Sequence, residues 1–317
     1  MTATVVVAVV GPTATGKSDL GLALAELLGG EVVNADAMQL YRGMDVGTAK
    51  VPFDERRGIA HHQLDVLDVD QEASVAHYQE RARSDLAGIS ARGARPVVVG
   101  GSGLYVRAVL DDIAFPGTDP EVRARWEERA AEQGPGRLHA ELERLDPIAA
   151  ASIGRANTRR IVRALEVIEL TGRPYSATLP EHRYVVPAVQ IGLDCDRDVL
   201  DRRVESRVTR MWRTGLVEEV RDLAGQGMGR TASRAVGYAE VLEALADDGD
   251  LESAREAVSA HTRRLARKQM GWFGRDPRVH WLDAQDADLL ERAVALVAAA
   301  DAGTLVDHGA RRRTLGS

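Results

Sequence analysis

One junction near the start restricts the fold more than any other feature of the chain. Residues 4–10 (TVVVAVV) are an unbroken apolar run rich in β-branched side chains, the pattern of a strand covered on both faces. The next eight residues, Gly11-Pro12-Thr13-Ala14-Thr15-Gly16-Lys17-Ser18, fit the pattern GxxxxGK followed by Ser or Thr. A helix is expected over 19–28, with Leu20, Ala23, Leu24, Leu27 and Leu28 on one stripe and Gly29-Gly30 as its stop. Glycines in such a turn let backbone N–H groups converge as an anion nest, and the helix N-terminus adds about half a positive charge. Lys17 supplies a mobile cation, and the Ser18 hydroxyl is placed to join a Mg²⁺ shell. The motif requires a diphosphate or triphosphate ligand without saying which.

Strand and helix keep alternating after this junction. Residues 31–35 read as a second strand ending at Asp36, 74–92 as a helix, and 95–99 as a third strand followed by Gly100-Gly101-Ser102-Gly103. The alternation predicts an α/β fold, a doubly wound parallel sheet of the P-loop NTPase type, with ligands at the carboxyl ends of the strands. The pattern changes after Phe115-Pro116-Gly117. Asp119-Pro120 is a helix start, with Val122, Trp126 and Ala130 following at four-residue spacing, and a further helix spans 158–171 with Ile161, Leu165 and Ile168 inward. Residues 187–193 return to strand pattern, so an all-helical domain at 117–183 is expected within a catalytic core formed by 1–116 and 184–300. Long helices are expected at about 198–224 and 251–272, and residues 301–317 read as a disordered tail.

Composition narrows the partners. The net charge of −7 argues against nucleic acid as a sum, yet three basic runs stand out, at 154–163, 202–213 and 263–268. The lone cysteine, Cys195, excludes an internal disulfide and a multi-cysteine zinc site, and reads as a small core residue. The N-terminal apolar run is too short to span a bilayer and has no basic region before it, so the expected address is cytoplasmic, with no membrane partner. A monomer is the default expectation.

Asp36 and Ser102 each follow a strand, where a carboxylate can hold Mg²⁺ or take a proton and a hydroxyl can approach a ligand. At this point the motifs stand together. Residues 11–18, VNADAMQLYRGMDVGTAK (33–50), HHQLDVLD (61–68), PVVVGGSGLYVRAVL (96–110), RRIVRALEVIELTGRP (159–174), RAVGYAE (234–240) and TRRLARKQMGWF (262–273) resemble, in order, the tRNA dimethylallyltransferase (tRNA isopentenyltransferase) family. The resemblance covers about residues 5–285.

That resemblance implies an enzyme that moves the dimethylallyl group of dimethylallyl diphosphate, with Mg²⁺ assisting, to the exocyclic amine of the adenosine beside the anticodon, tRNA position 37. It implies that Gly11–Ser18 hold the donor diphosphate with Arg207 as a second cation, and that Asp36 is the general base. It places Ala37, Met38 and Gln39 in the same RNA-contacting segment, and Ser102 where the family usually has Thr. It puts further tRNA contacts at Arg123, at Arg159, Arg160, Ile161, Val162 and Arg163, at Arg234, Gly237 and Tyr238, and at Arg263 and Arg267. Arg264 stands where the family pattern often has Gln. Rival readings are a P-loop small-molecule kinase, a prenyltransferase for free adenine nucleotides, and a nucleotide-dependent RNA-binding switch. The first two do not account for a 117–183 helical insertion bearing arginines.

Overall fold

The computed structural model describes residues 4–178, 182–246, 249–306 and Leu315. Six strands form one parallel sheet: β1 (Val6–Val10), β2 (Gly30–Asn34), β3 (His61–His62), β4 (Arg95–Gly100), β5 (Ala188–Asp194) and β6 (Val279–Asp283), in the order β3-β2-β4-β1-β5-β6. Strand β1 is buried along its whole length at the centre, as its unbroken apolar run requires. The chain reverses direction across the sheet at β1, so the turn after β1 opens at a topological switch point, where such folds bind ligands.

Helix α1 (Lys17–Leu27) begins on the phosphate loop itself. The expected stripe along it is corrected: Leu27 is 60% exposed, while Leu20, Gly21, Leu22, Leu24 and Ala25 are buried. A side chain at Gly21 would meet Val99 at 2.4 Å, so the helix packs on β4 through a glycine that a hydrophobicity pattern does not count. Helices α2 (Val75–Ala91) and α3 (Gly103–Leu110) complete the first stretch, with Ser74 capping α2 through a bond from the His77 N–H.

Residues 111–183 form a separate compact unit. It holds α4 (Pro120–Gln133), α5 (Pro135–Leu145), α6 (Pro147–Ser152) and α7 (Thr158–Thr171). Each of the first three starts with proline in its first turn, and Asp119, Asp146 and Asn157 cap α4, α6 and α7. Val122, Trp126, Ile161 and Leu165 meet in its own apolar core. The unit begins six residues earlier than expected, because Asp112 N–H bonds the Arg183 carbonyl (2.9 Å) and the two side chains pair. The pattern break at Phe115-Pro116-Gly117 therefore lies inside the unit, in the irregular segment before α4.

The rest of the chain rejoins the sheet unit with α8 (Arg197–Arg213), α9 (Leu216–Gln226), α10 (Tyr238–Ala246), α11 (Leu251–Phe273) and α12 (Leu289–Asp301). The single helix expected at 198–224 is two, divided at Gly215, whose φ of 101° no right-handed helix accommodates. Cys195 is buried in the core, as expected. Of the expected tail, residues 307–314, 316 and 317 lie outside the described residues. Among the described residues no helix is long and apolar enough to cross a membrane.

Candidate active site

The phosphate loop is shaped by three positive φ angles, at Gly11 (130°), Ala14 (66°) and Gly16 (93°). A Cβ at Gly11 would lie 2.6 Å from the Leu193 carbonyl oxygen, so the turn after β1 passes too close to β5 for any side chain. Ala14 adopts a left-handed conformation that costs a non-glycine residue about 1–3 kcal/mol and persists only under outside constraint. That constraint comes from both sides of the loop. Thr15 Oγ1 donates to the Pro12 carbonyl (2.9 Å), Thr13 N–H donates to Gln269 Oε1 of α11 (2.8 Å), and Arg207 of α8 donates to Thr13 Oγ1 (2.9 Å). Lys17 Nζ folds back onto the Pro12 carbonyl at 2.5 Å.

A cleft of about 760 Å³ opens over this loop, lined by Lys17, Ser18, Asp36, Gln39, Gly101 and Arg207 among others. That size suits a small ligand. The elements that bring Asp36 and Ser102 together are the ends of β2 and β4. A Cβ at Gly100 would meet the Ala35 carbonyl at 2.2 Å, Ser102 N–H donates to that carbonyl (3.3 Å), and Ala37 N–H donates to Ser102 Oγ (3.1 Å). Asp36 is clamped on its main chain by Asn34, whose side chain accepts from the Asp36 N–H (2.9 Å) and donates to the Asp36 carbonyl (3.0 Å). Its own carboxylate accepts the Met38 N–H at 3.0 Å, so the turn-forming and the functional readings of this Asp hold together.

Burial sets the electrostatics of the three charged groups nearest the phosphate loop. Burial pushes Lys17 down to about 7, with Arg207 acting in the same direction and Asp36 opposing. Burial also lowers Arg207 and raises Asp36, the latter against the pull of backbone N–H bonds, Lys17 and Arg207. Lys17 and Arg207 thus converge on the phosphate loop in a partly dry site, where a diphosphate would meet both cations. The protonated lysine prevails below about pH 7 and disappears above it. Inorganic diphosphate should therefore bind about tenfold more weakly at pH 8.5 than at pH 6.5 relative to a Lys17→Met variant, whose own pH trend serves as baseline. Parallel pH trends in calorimetric titrations of the two proteins would remove Lys17 from anion binding.

Several of the residues expected to contact RNA are buried or engaged within the protein. Ile161 and Val162 are 0% and 3% exposed inside the helical unit's core, since α7 turns that face inward. Arg123 and Arg163 both pair with the fully buried Glu166 carboxylate (2.7 and 3.0 Å), and Arg163 also donates to the carbonyls of Pro116 and Gly117. Arg163 is therefore a structural clamp, while Arg159 and Arg160 on the same helix are exposed with no ion pair among the described residues. Tyr238 is fully buried with its hydroxyl on Glu219, and buried Gly237 gives its N–H to Glu240 (2.7 Å). Arg234 and Arg267 are exposed, Arg263 is half-buried, and none of the three carries an ion pair among the described residues.

Three further residues shape the site. Gln269 fastens the phosphate loop. Glu219, from α9, accepts the N–H groups of Asp45, Val46 and Gly47 (3.0, 2.7 and 3.1 Å) and so sets the segment that walls the cleft. Lys50 is buried on the Tyr41 carbonyl with Asp45 and Asp65 as counter-charges. A lysine in VGTAK carries no sequence signal of burial, because its partners lie up to fifteen residues away.

Comparison with known proteins bears on this geometry directly. The IPP transferase family pattern matches residues 39–276. The tRNA dimethylallyltransferase of Kineococcus radiotolerans is 59% identical over 308 residues, covering 93% of this chain and 97% of that protein. The enzyme of the same name from Thermobifida fusca is 58% identical over 299 residues, covering 92% and 94%. The crystal structure of tRNA isopentenylpyrophosphate transferase from Bacillus halodurans superposes with a TM-score of 0.71 at 36% identity, over 95% of this chain and 98% of that one. A eukaryotic dimethylallyltransferase acting on tRNA shares the fold with a TM-score of 0.83 at 24% identity, over 95% of this chain and 80% of its own. With most of its length matched by the family pattern and relatives at 59% and 58% identity over nearly the whole chain, the chain belongs to the IPP transferase family.

Proposed function

We propose that the cleft binds dimethylallyl diphosphate and that the enzyme transfers the dimethylallyl group to the exocyclic 6-amino nitrogen of adenosine 37 in the tRNA anticodon loop. The observation that carries this reading is the juxtaposition, in one cleft, of an anion cradle closed by Arg207 and a carboxylate whose proton affinity is raised by burial. The adenine nitrogen forms a bond to C1 of the prenyl group as the C1–oxygen bond breaks. The bonding pair leaves with diphosphate, and the proton released from nitrogen passes to Asp36. Loop N–H groups, Lys17 and Arg207 stabilise the charge that grows on the departing diphosphate. The acceptor base must leave its stack to reach the cleft, which a single-stranded loop permits at lower cost than a duplex.

The residues present suit Mg²⁺. The Ser18 hydroxyl lines the cleft beside the phosphate loop, which fits an ion that takes one or two protein oxygens and the rest from phosphate and water. Ser18 would supply the protein oxygen, and the ion would neutralise charge on the leaving group. Arg159 and Arg160 on the helical unit, with Arg234 and Arg267 on the sheet unit, are free to meet RNA phosphates. The same proposal includes a cytoplasmic location, where a tRNA substrate is met.

The test is incubation with labelled dimethylallyl diphosphate, Mg²⁺ and an anticodon stem-loop bearing unmodified adenosine, with ATP and small acceptors in a parallel reaction. Label is expected in the RNA with release of diphosphate. Phosphoryl transfer from ATP with no label in RNA would overturn the reading.

A further inference from the structure

Helix α11 has one face sewn to the active site and the other bare. Its inward face carries Ala266, Gln269, Met270 and Phe273, all buried, with Gln269 holding the phosphate loop. On the outer side Arg264, Lys268 and Trp272 follow at four-residue spacing, and all three are exposed. Neither Arg264 nor Lys268 has an ion pair among the described residues, in a chain whose acidic residues outnumber its basic ones by 48 to 41.

Trp272 is 38% exposed. Its indole is seated against the backbone at Gly103, where a Cβ would meet ring atom Cδ1 at 2.0 Å. Gly103 opens α3 and directly follows Ser102, whose hydroxyl holds the N–H of Ala37. The ring is thus pinned along one side, beside the turn that carries Ser102, and its remaining surface is open. A rigid aromatic surface at the end of a row of unpaired cations is the combination that grips a single-stranded nucleic acid: the cations follow phosphate and the ring accepts a base.

We infer that Trp272 is a stacking platform for a nucleobase next to the acceptor adenosine, and that Arg264 and Lys268 lead the RNA backbone to it. The inference rests on the proposed RNA substrate and adds the residue that holds the loop open beside the reacting base. Pinning by Gly103 matters because a ring already fixed loses little freedom when a base settles on it.

The experiment titrates an anticodon stem-loop into the full-length protein while following both RNA anisotropy and intrinsic tryptophan fluorescence. The chain has four tryptophans, so Trp272→Phe leaves three as internal reference. RNA binding should quench the wild type and quench Trp272→Phe distinctly less. Trp272→Ala should weaken stem-loop binding by about 5- to 100-fold, the range for loss of one base–aromatic stack. Trp272→Phe should recover most of that loss, and the affinity for inorganic diphosphate should be unchanged in both variants. If the wild type binds RNA and Trp272→Ala binds it equally well, the platform is refuted while the RNA substrate stands. Absence of any RNA binding would overturn both. Fluorescence that changes with protein concentration instead of RNA would assign the ring to a protein contact and also overturn the inference.

Discussion

Asp36→Ala is expected to lower turnover by about 10²–10⁴-fold, the usual worth of a general base, with stem-loop affinity held within about threefold. An adenine 6-amino group is a weak nucleophile because its lone pair is delocalised into the ring. It becomes acidic only as the bond to carbon forms, so the carboxylate acts at the transition state and contributes little to ground-state binding. Burial raises the Asp36 pKa from its ordinary value, which makes it a stronger base than a solvated Asp. The ionised form is the active one, so the wild-type rate should rise with pH through this displaced value and then level off. Asp36→Asn keeps an oxygen for the Met38 N–H and should be nearly as slow as Asp36→Ala, with the acid limb of the profile gone. Single-turnover rates across the acid range make the comparison. An Asn variant within tenfold of wild type would assign Asp36 to the turn alone.

Glu166→Ala is expected to destabilise the helical unit by about 3–5 kcal/mol, the cost of breaking a buried ion pair from one side. The carboxylate is fully buried and accepts from Arg123, Arg163 and the Asp119 N–H (3.2 Å), so one group ties α7 to the start of α4. Its removal leaves two guanidinium groups without their shared counter-charge and one backbone donor unsatisfied. Arg123 is 40% and Arg163 25% exposed, so water recovers part of the loss and the lower end of the range is favoured. Amide hydrogen exchange in α4 and α7 reads this locally, without requiring the whole chain to unfold as one. Protection reduced by less than the equivalent of about 1 kcal/mol would show that the triad is dispensable.

Much of the site was legible before any coordinates. The phosphate loop announces itself because its function depends on backbone conformation, and glycines at 11 and 16 are the chemical trace of that conformation. Asp36 and Ser102 were legible as residues just past strands, where an α/β sheet places its chemistry. Helix α7 was expected at 158–171 and observed at Thr158–Thr171, because an Asn cap and a Gly terminator bracket a clear apolar period. Strands β3 and β6 were not anticipated. β3 is two residues long, and β6 (VHWLD) breaks its apolar run with histidine.

The placements that were not legible share a cause. Arg159 and Arg163 look alike in sequence, four apart on one helix, yet only Arg163 reaches a buried carboxylate. The Glu219–Val46 contact spans 173 residues and the Gln269–Thr13 contact 256. Local order was set by the sequence itself: which turn binds an anion, where helices begin and stop, and that a parallel sheet forms. These follow from dihedral preferences and caps that act over a few residues. Only the tertiary structure decided which arginines are engaged inside the protein and which remain for a ligand, and which distant side chains hold the loop in its strained shape. A charge pairs with whatever the fold brings within a few ångströms as water is excluded, and no short-range pattern encodes that meeting.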